Sequence, residues 1–170
     1  MTTTTPTRLP LPLPLLIDQL AAHPDLTRTT ACVVRTDPAT AYRTVRERPA
    51  PRSRLWERPG WSVLGERPGA ELVFGSILPS RSPARPRELE ARDFVDFALP
   101  GHLKVACSLS VLPYGQCRAL VTCEFRVTAT DPRSWQRLRH GRGLISPLLG
   151  LLQRAILRSV RRDSARSRPR

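Results

Sequence analysis

Apolar residues in the stretch 144–162 (LISPLLGLLQRAILRSVRR) recur three and four positions apart. Ile145, Leu148, Leu149, Leu152, Ala155, Ile156 and Val160 share one stripe of a helix, while Gln153, Arg154, Arg158 and Arg161 fall largely elsewhere. A helix of this kind needs an apolar surface to lie on, and the chain before it supplies one. Segments 104–111 and 119–128 read as two strands joined by a short turn. If Pro113 pairs with Cys117 across Tyr114, Gly115 and Gln116, then Val111 faces Ala119, Leu109 faces Val121, Cys107 faces Cys123 and Val105 faces Phe125, all apolar and all on one face. Lys104, Ser108, Ser110, Thr122, Glu124 and Arg126 take the other face, which this pattern assigns to solvent. The pattern predicts an α+β domain in which a curved antiparallel sheet wraps around a long C-terminal helix.

Earlier in the chain the periods are shorter. Segment 25–35 (DLTRTTACVVR) has the Thr and Val content of a strand, and Asp37-Pro38 then opens a helix in which Ala41, Tyr42 and Val45 face inward. That helix ends near Pro49, and the proline-rich run 46–59 reads as a loop with one turn around Leu55 and Trp56. Segments 61–66 (WSVLGE) and 71–77 (ELVFGSI) form a hairpin about the turn residues 67–70, and 79–86 (PSRSPARP) is a loop. Segment 93–98 (DFVDFA) is a short helix or extended piece. A second Asp-Pro pair, Asp131-Pro132, starts the last helix, with Trp135 and Leu138 inward. Gly141, Gly143 and Pro147 weaken or bend it, so one bent helix or two in tandem are expected.

Length and 40% hydrophobic content fit one domain over 25–162. It is flanked by a Pro/Leu-rich tail over 1–24, read as disordered or extended, and an Arg-rich tail over 163–170. The net charge of +14 invites a polyanion partner. Its basic residues are nevertheless almost all arginine, with Lys104 the only lysine, a skew that GC-rich coding sequence produces without any such partner. Cys32, Cys107, Cys117 and Cys123 form no C-x-x-C pair, and His23, His102 and His140 do not cluster with them, so no metal site is expected. No cofactor is implied either, because phosphate-binding glycine loops and the common nucleophile and zinc motifs are missing. No apolar run reaches the ~20 residues of a membrane span, and a cytoplasmic protein with reduced thiols is expected.

The order of elements, and the segments 36–42 (TDPATAY), 59–66 (PGWSVLGE), 94–104 (FVDFALPGHLK) and 123–131 (CEFRVTATD), with Pro147 and 154–158 (RAILR), carry a resemblance. Over about residues 26–162 the chain resembles the START-like superfamily, also called SRPBCC or polyketide cyclase and lipid-transport proteins, and looks closest to its uncharacterised actinobacterial members. The resemblance implies the helix-grip fold, with a ligand held between sheet and last helix. Gly141-Arg142 stand where such proteins tend to have an aromatic pair and Cys107 where a tryptophan is common, and the 46–59 connection is short for the superfamily. These departures imply either a larger, more open pocket or one that binds nothing.

With the register above, the cavity would be lined by Leu109, Val121, Cys123 and Phe125, by Val63 and Phe74 of the other hairpin, and by Leu148, Leu152 and Ala155 of the helix. Tyr42, Glu66 and His102 are the polar side chains that could anchor a ligand there. Glu124 belongs on the outer face, solvated or paired with arginine. No catalytic set is visible, so the favoured reading is a non-catalytic binder or carrier of a small hydrophobic molecule, lipid or polyketide-like. One alternative is a polyketide cyclase or aromatase, which needs an ionisable group inside the cavity. The other is a basic interaction protein contacting anionic membrane or nucleic acid through its Arg-rich C-terminal end, where Arg154, Arg158, Arg161, Arg162, Arg166, Arg168 and Arg170 could meet phosphates, with weak membrane contact and no specific nucleic-acid target. In that reading Leu157 lies on the outer side of the helix, where it would suit a membrane surface.

Overall fold

The computed structural model describes residues 14–47, 61–80 and 89–166. The chain runs α1 (Leu16–Leu20), β1 (Leu26–Val34), α2 (Pro38–Glu47), β2 (Ser62–Arg67), β3 (Glu71–Pro79), α3 (Ala91–Asp96), β4 (His102–Pro113), β5 (Ala119–Ala129) and α4 (Pro132–Arg166). Five antiparallel strands form one sheet in the order β1-β5-β4-β3-β2. The helix α4 lies on β1 and β5 with α2 beside it, while α1 and α3 lie against β2, β3 and β4. This is the predicted α+β helix-grip arrangement, with one addition: the sheet is covered on both faces.

Both Asp-Pro signals act as read. Asp37 Oδ1 accepts the Thr40 amide at 2.9 Å, and Asp131 Oδ1 accepts the amides of Arg133 and Ser134 at 3.0 and 3.1 Å, so α2 and α4 begin at Pro38 and Pro132. The β2–β3 hairpin turns at Gly69, whose positive φ suits glycine. No helix among the described residues is long and apolar enough to cross a membrane. The loop expected over 46–59 lies, from 48 on, outside the described residues, as do most of the 79–86 loop, residues 1–13 of the N-terminal tail and residues 167–170.

The β4–β5 register differs from the expected one by two residues. Pro113 pairs with Ala119, Val111 with Val121, Leu109 with Cys123, Cys107 with Phe125 and Val105 with Val127. The connection is wider than expected, with the Tyr114 amide on the Arg118 carbonyl and both Gly115 and Cys117 at positive φ. A slip of two leaves every side chain on its predicted face. Val105, Cys107, Leu109, Val121, Cys123, Phe125 and Val127 therefore still make one buried layer, and Cys107 and Cys123 meet as free thiols with their sulfurs 3.9 Å apart.

The outer face is not solvent. Ser108 and Ser110 are buried beside a second apolar cluster of Ile17, Leu64, Val73, Ile77, Phe94 and Ala106. Glu71, 1% exposed, accepts the amides of Leu16 (2.6 Å) and Ile17 (3.3 Å) and the Ser108 hydroxyl (2.7 Å). At the other end of α1, Arg126 donates to the carbonyls of Ile17 and Ala21 and pairs with Asp18 and Glu124, each at 2.6 Å. A carboxylate at the N-terminus and a guanidinium at the C-terminus match the helix dipole. Burial alone would lower the Arg126 pKa, but the bonds and charges of Glu124 and Asp18 outweigh it and the pKa is raised. The segment read as a loose tail is thus, over Leu16–Leu20, a docked helix. The sheet also makes room for α3, since a Cβ at Gly75 would stand 2.9 Å from Leu64 Cγ and 3.1 Å from Phe94 Cδ2.

The buried face of α4 is rotated from the predicted stripe. Leu138, Gln153, Ile156, Leu157 and Val160 are buried and Leu149 and Leu152 half-buried, whereas Leu148, Ala155 and Trp135 face out. Leu157, expected outside, is inside. The cause is Gln153, whose Nε2 donates to the carbonyls of Arg28 (2.6 Å) and Cys123 (2.9 Å) and whose Oε1 accepts from Thr30 (3.1 Å), so the helix turns to seat an amide on both β1 and β5. The helix is one continuous run through Pro147 to Arg166, overrunning the expected tail boundary at 163.

Two outcomes follow from these contacts. Glu71→Ala leaves two amides and a hydroxyl without their acceptor and destabilises the fold by about 3 kcal/mol, with faster hydrogen exchange at Leu16 and Ile17 than elsewhere. Gln153→Leu orphans two carbonyls at no loss of volume and lowers stability by about 2 kcal/mol, read from the urea midpoint at unchanged slope.

Candidate functional site

The inner face of the sheet gathers five of the nine residues expected to line a cavity. Phe74, Leu109, Val121, Cys123 and Phe125 are all buried in one cluster with Tyr42, Leu138, Ile156, Leu157 and Val160, and Leu152 packs at its edge. Leu148 and Ala155 take no part, because the rotation of α4 that seats Gln153 turns them to solvent. Val63 is 57% exposed at the edge strand. The thiols of this layer fit packing: buried Cys107 has its pKa pushed up by loss of solvent and by its hydrogen bond with Cys123, and half-buried Cys32, at the edge, by burial opposed by Arg161.

One polar column enters this layer from β1. Arg28, on the same strand face as Leu26 and Thr30, donates from Nη1 to Ser146 Oγ at 3.0 Å and lies across Gly150, where a Cβ would stand 2.5 Å from Nη2 and 2.8 Å from Cζ. Gly150 is the signal that the sequence offered for this crossing. Arg28 Nε is buried without a hydrogen-bond partner among the described residues.

The three expected anchors separate. Tyr42 is buried, and its hydroxyl donates to Glu66 Oε1 at 2.7 Å, the same oxygen that takes Arg46 Nε at 2.8 Å. Burial, and then the hydrogen bond and charge of Glu66, push the Tyr42 pKa far up, so the phenol stays protonated in a closed network. His102 stands elsewhere, at the start of β4.

His102 lines a cleft of about 1440 Å³ with Trp61, Val63, Ile77, Leu89, Asp93, Asp96, Phe97 and Leu99. Its position follows from strand lengths: the last β2–β3 pair is Ser62 with Gly75, and β3 continues through Pro79 beyond it. Beyond the end of β2 the floor is β3 and the start of β4, and the wall is α3. Phe94 of α3 points into the outer core, which leaves Glu90, Asp93 and Asp96, three residues apart, on the cleft side. That spacing was the readable signal for residues the sequence analysis did not single out. Trp61 links the cleft to the inner core, its ring edge-on to Phe125 with centroids 6.5 Å apart.

His102 is fixed rather than loose. Its ring packs edge-on to Phe97 at 5.1 Å, and Nδ1 lies 3.0 Å from the Pro100 carbonyl and 3.3 Å from that of Leu99. Two carbonyl oxygens favour the proton on Nδ1, which leaves Nε2 as the acceptor. Asp131 holds this corner: Oδ2 accepts the Gly101 amide at 2.6 Å and the Ser134 hydroxyl at 2.5 Å. Lys104, whose pKa burial lowers against the pull of Asp96, donates to the Val95 carbonyl at 2.7 Å and ties α3 to β4.

Element order, sheet order and the helix gripped by the inner face decide the fold. It is START-like. No family model matches the chain, and no curated protein does. Among solved structures, the protein TTHA0849 of Thermus thermophilus covers 84% of this chain and 100% of its own, at 13% identity and a TM-score of 0.46. The Zhui aromatase/cyclase of Streptomyces sp. R1128 covers 83% and 94%, at 12% identity and 0.43. Norcoclaurine synthase of Thalictrum flavum, solved in complex with dopamine and hydroxybenzaldehyde, covers 96% and 99%, at 12% identity and 0.39. At these identities and TM-scores nothing about the site carries over, and it has to be judged from the chain's own residues.

The Asp131 carboxyl is held well below the usual carboxylate range, first by the Ser134 hydroxyl and then by the Gly101 amide. A depressed folded pKa gives stability that is present above about pH 4 and is lost as pH falls through the folded value. Asp131→Ala therefore lowers the melting temperature at neutral pH, and the gap to the unmodified protein narrows in acid, which a melting series across pH measures.

Proposed function

We propose that this START-like protein binds a small, largely apolar molecule in the cleft beyond the end of β2, and not under α4 where the helix-grip expectation put it. The observation that carries the reading is the composition of that cleft. Trp61, Val63, Ile77, Leu89, Phe97 and Leu99 give apolar walls, and Asp93, Asp96 and His102 give a few polar groups at one side. A ligand with an apolar body and a neutral or positively charged polar end fits such a lining. The volume exceeds the ~300–1000 Å³ of common small-molecule sites, so a ligand fills part of it and the rest stays in contact with solvent.

Catalysis of the cyclase kind has one observation in its favour, the His102 ring with Nε2 left as acceptor in the cleft. Tyr42 and Glu66 are spent on each other and on Arg46, and no hydrogen bond joins His102 to a carboxylate among the described residues. Binding is therefore the reading adopted.

Titration with the neutral fluorophore N-phenyl-1-naphthylamine tests it. Saturable enhancement at one site is expected, weakened about tenfold by Val63→Glu, which sets a carboxylate on an apolar wall at an exposed position. Binding that ignores Val63→Glu but is lost in Leu152→Glu would return the site to the helix–sheet interior, and no saturable binding would remove the reading.

A further inference from the structure

We propose that the outward face of α4 is a docking surface for an anionic lipid membrane. Leu144, Leu148 and Leu151 are 83%, 66% and 61% exposed, the three most exposed of the large aliphatic side chains on α4. They stand four and three residues apart, with Ala155 four further on, so they form one ridge along the helix, directed away from the sheet. Among the described residues no packing contact accounts for this ridge. The helix already buries its other side through Leu138, Ile156, Leu157 and Val160.

The charge beside the ridge names the partner. Arg154, Arg158 and Arg161 are exposed along one flank and Arg162 continues the ridge itself, while Asp163 is the only carboxylate in the whole of α4. Leucines that enter the acyl boundary beside guanidiniums that meet lipid phosphates are the composition of an interfacial helix. A second copy of this chain is a poor occupant, because pairing the two ridges would bring like-charged flanks together. Nucleic acid would use the arginines and leave the leucines without a purpose. This surface shares Arg154, Arg158, Arg161 and Arg162 with the expected basic contact but differs in its apolar part, which is the ridge of Leu144, Leu148 and Leu151 and not Leu157, which is buried. It also stands apart from the ligand cleft, so either proposal can fail alone.

Flotation with vesicles of phosphatidylcholine, with and without phosphatidylglycerol, tests it on the full chain. Binding is expected only with phosphatidylglycerol, weakening as salt rises, and reduced at least tenfold both in Leu148→Glu/Leu151→Glu and in Arg154→Glu/Arg158→Glu. All four sites are exposed, so circular dichroism and the melting temperature should match the unmodified protein, as should N-phenyl-1-naphthylamine binding. The proposal is overturned by absence of binding to anionic vesicles, or by binding that the leucine variant keeps. A dimer in sedimentation equilibrium that Leu148→Glu/Leu151→Glu dissociates would assign the ridge to a second copy instead.

Discussion

Covering the sheet on both faces is the constraint from which most of this molecule follows. β3 and β4 each bury seven consecutive residues, with no alternation, because α2 and α4 close one face and α1 and α3 the other. A five-residue helix such as α1 has no stability of its own. It stays because Glu71 and Arg126, projecting from β3 and β5, meet its two ends with the right charges, and because Ile17 fills the outer core. With both faces closed, an accessible concavity can form only at an edge. The edge that offers one is β2, which stops at Ser62 while its neighbour runs on.

Seating of Gln153 decides the rest of α4. An amide in an apolar interface costs free energy unless its donor and acceptor are both satisfied. Here the carbonyls of two adjacent strands and a threonine hydroxyl satisfy it. That requirement fixes the rotation of the helix about its axis, which plain hydrophobic contact leaves loosely defined. The leucine ridge on the outside is the consequence: the chain has more apolar residues between 144 and 157 than one helix face can bury, and the amide chooses which of them go in.

How much was legible follows the same physics. The five strands, the helices α2 and α4 with their Asp-Pro starts, and the division of β4 and β5 into two faces were readable, since each depends on local chemistry or on a period of two. Register was misread by one pair of residues because a turn allowing positive φ at Cys117 as well as Gly115 has no strong sequence signature. The outer layer was invisible for a different reason. Ser108, Glu124 and Arg126 look like a solvated face in alternation, and what covers them is a helix far earlier in the chain, in a segment whose prolines argue for an extended chain. The helix side of the predicted cavity failed at Gln153, which read as a polar residue to be kept outside, although it lies four residues after Leu149 and three before Ile156 and thus on the buried stripe.

Charge is sorted by place in this protein, and that bears on both surfaces discussed. The carboxylates Glu71, Asp18, Glu124, Glu66 and Asp131 are engaged in holding α1, the β2 edge and the start of α4. Glu90, Asp93 and Asp96 are gathered at the cleft. Nine arginines lie along α4, where Asp163 is the only acid. A surface enriched in arginine by coding composition alone would scatter it without regard to leucine exposure or to the position of the acids. Here the acidic side chains stand at the apolar cleft and the basic ones beside the apolar ridge, so on the proposed readings a cationic ligand and an anionic membrane would be drawn to different surfaces.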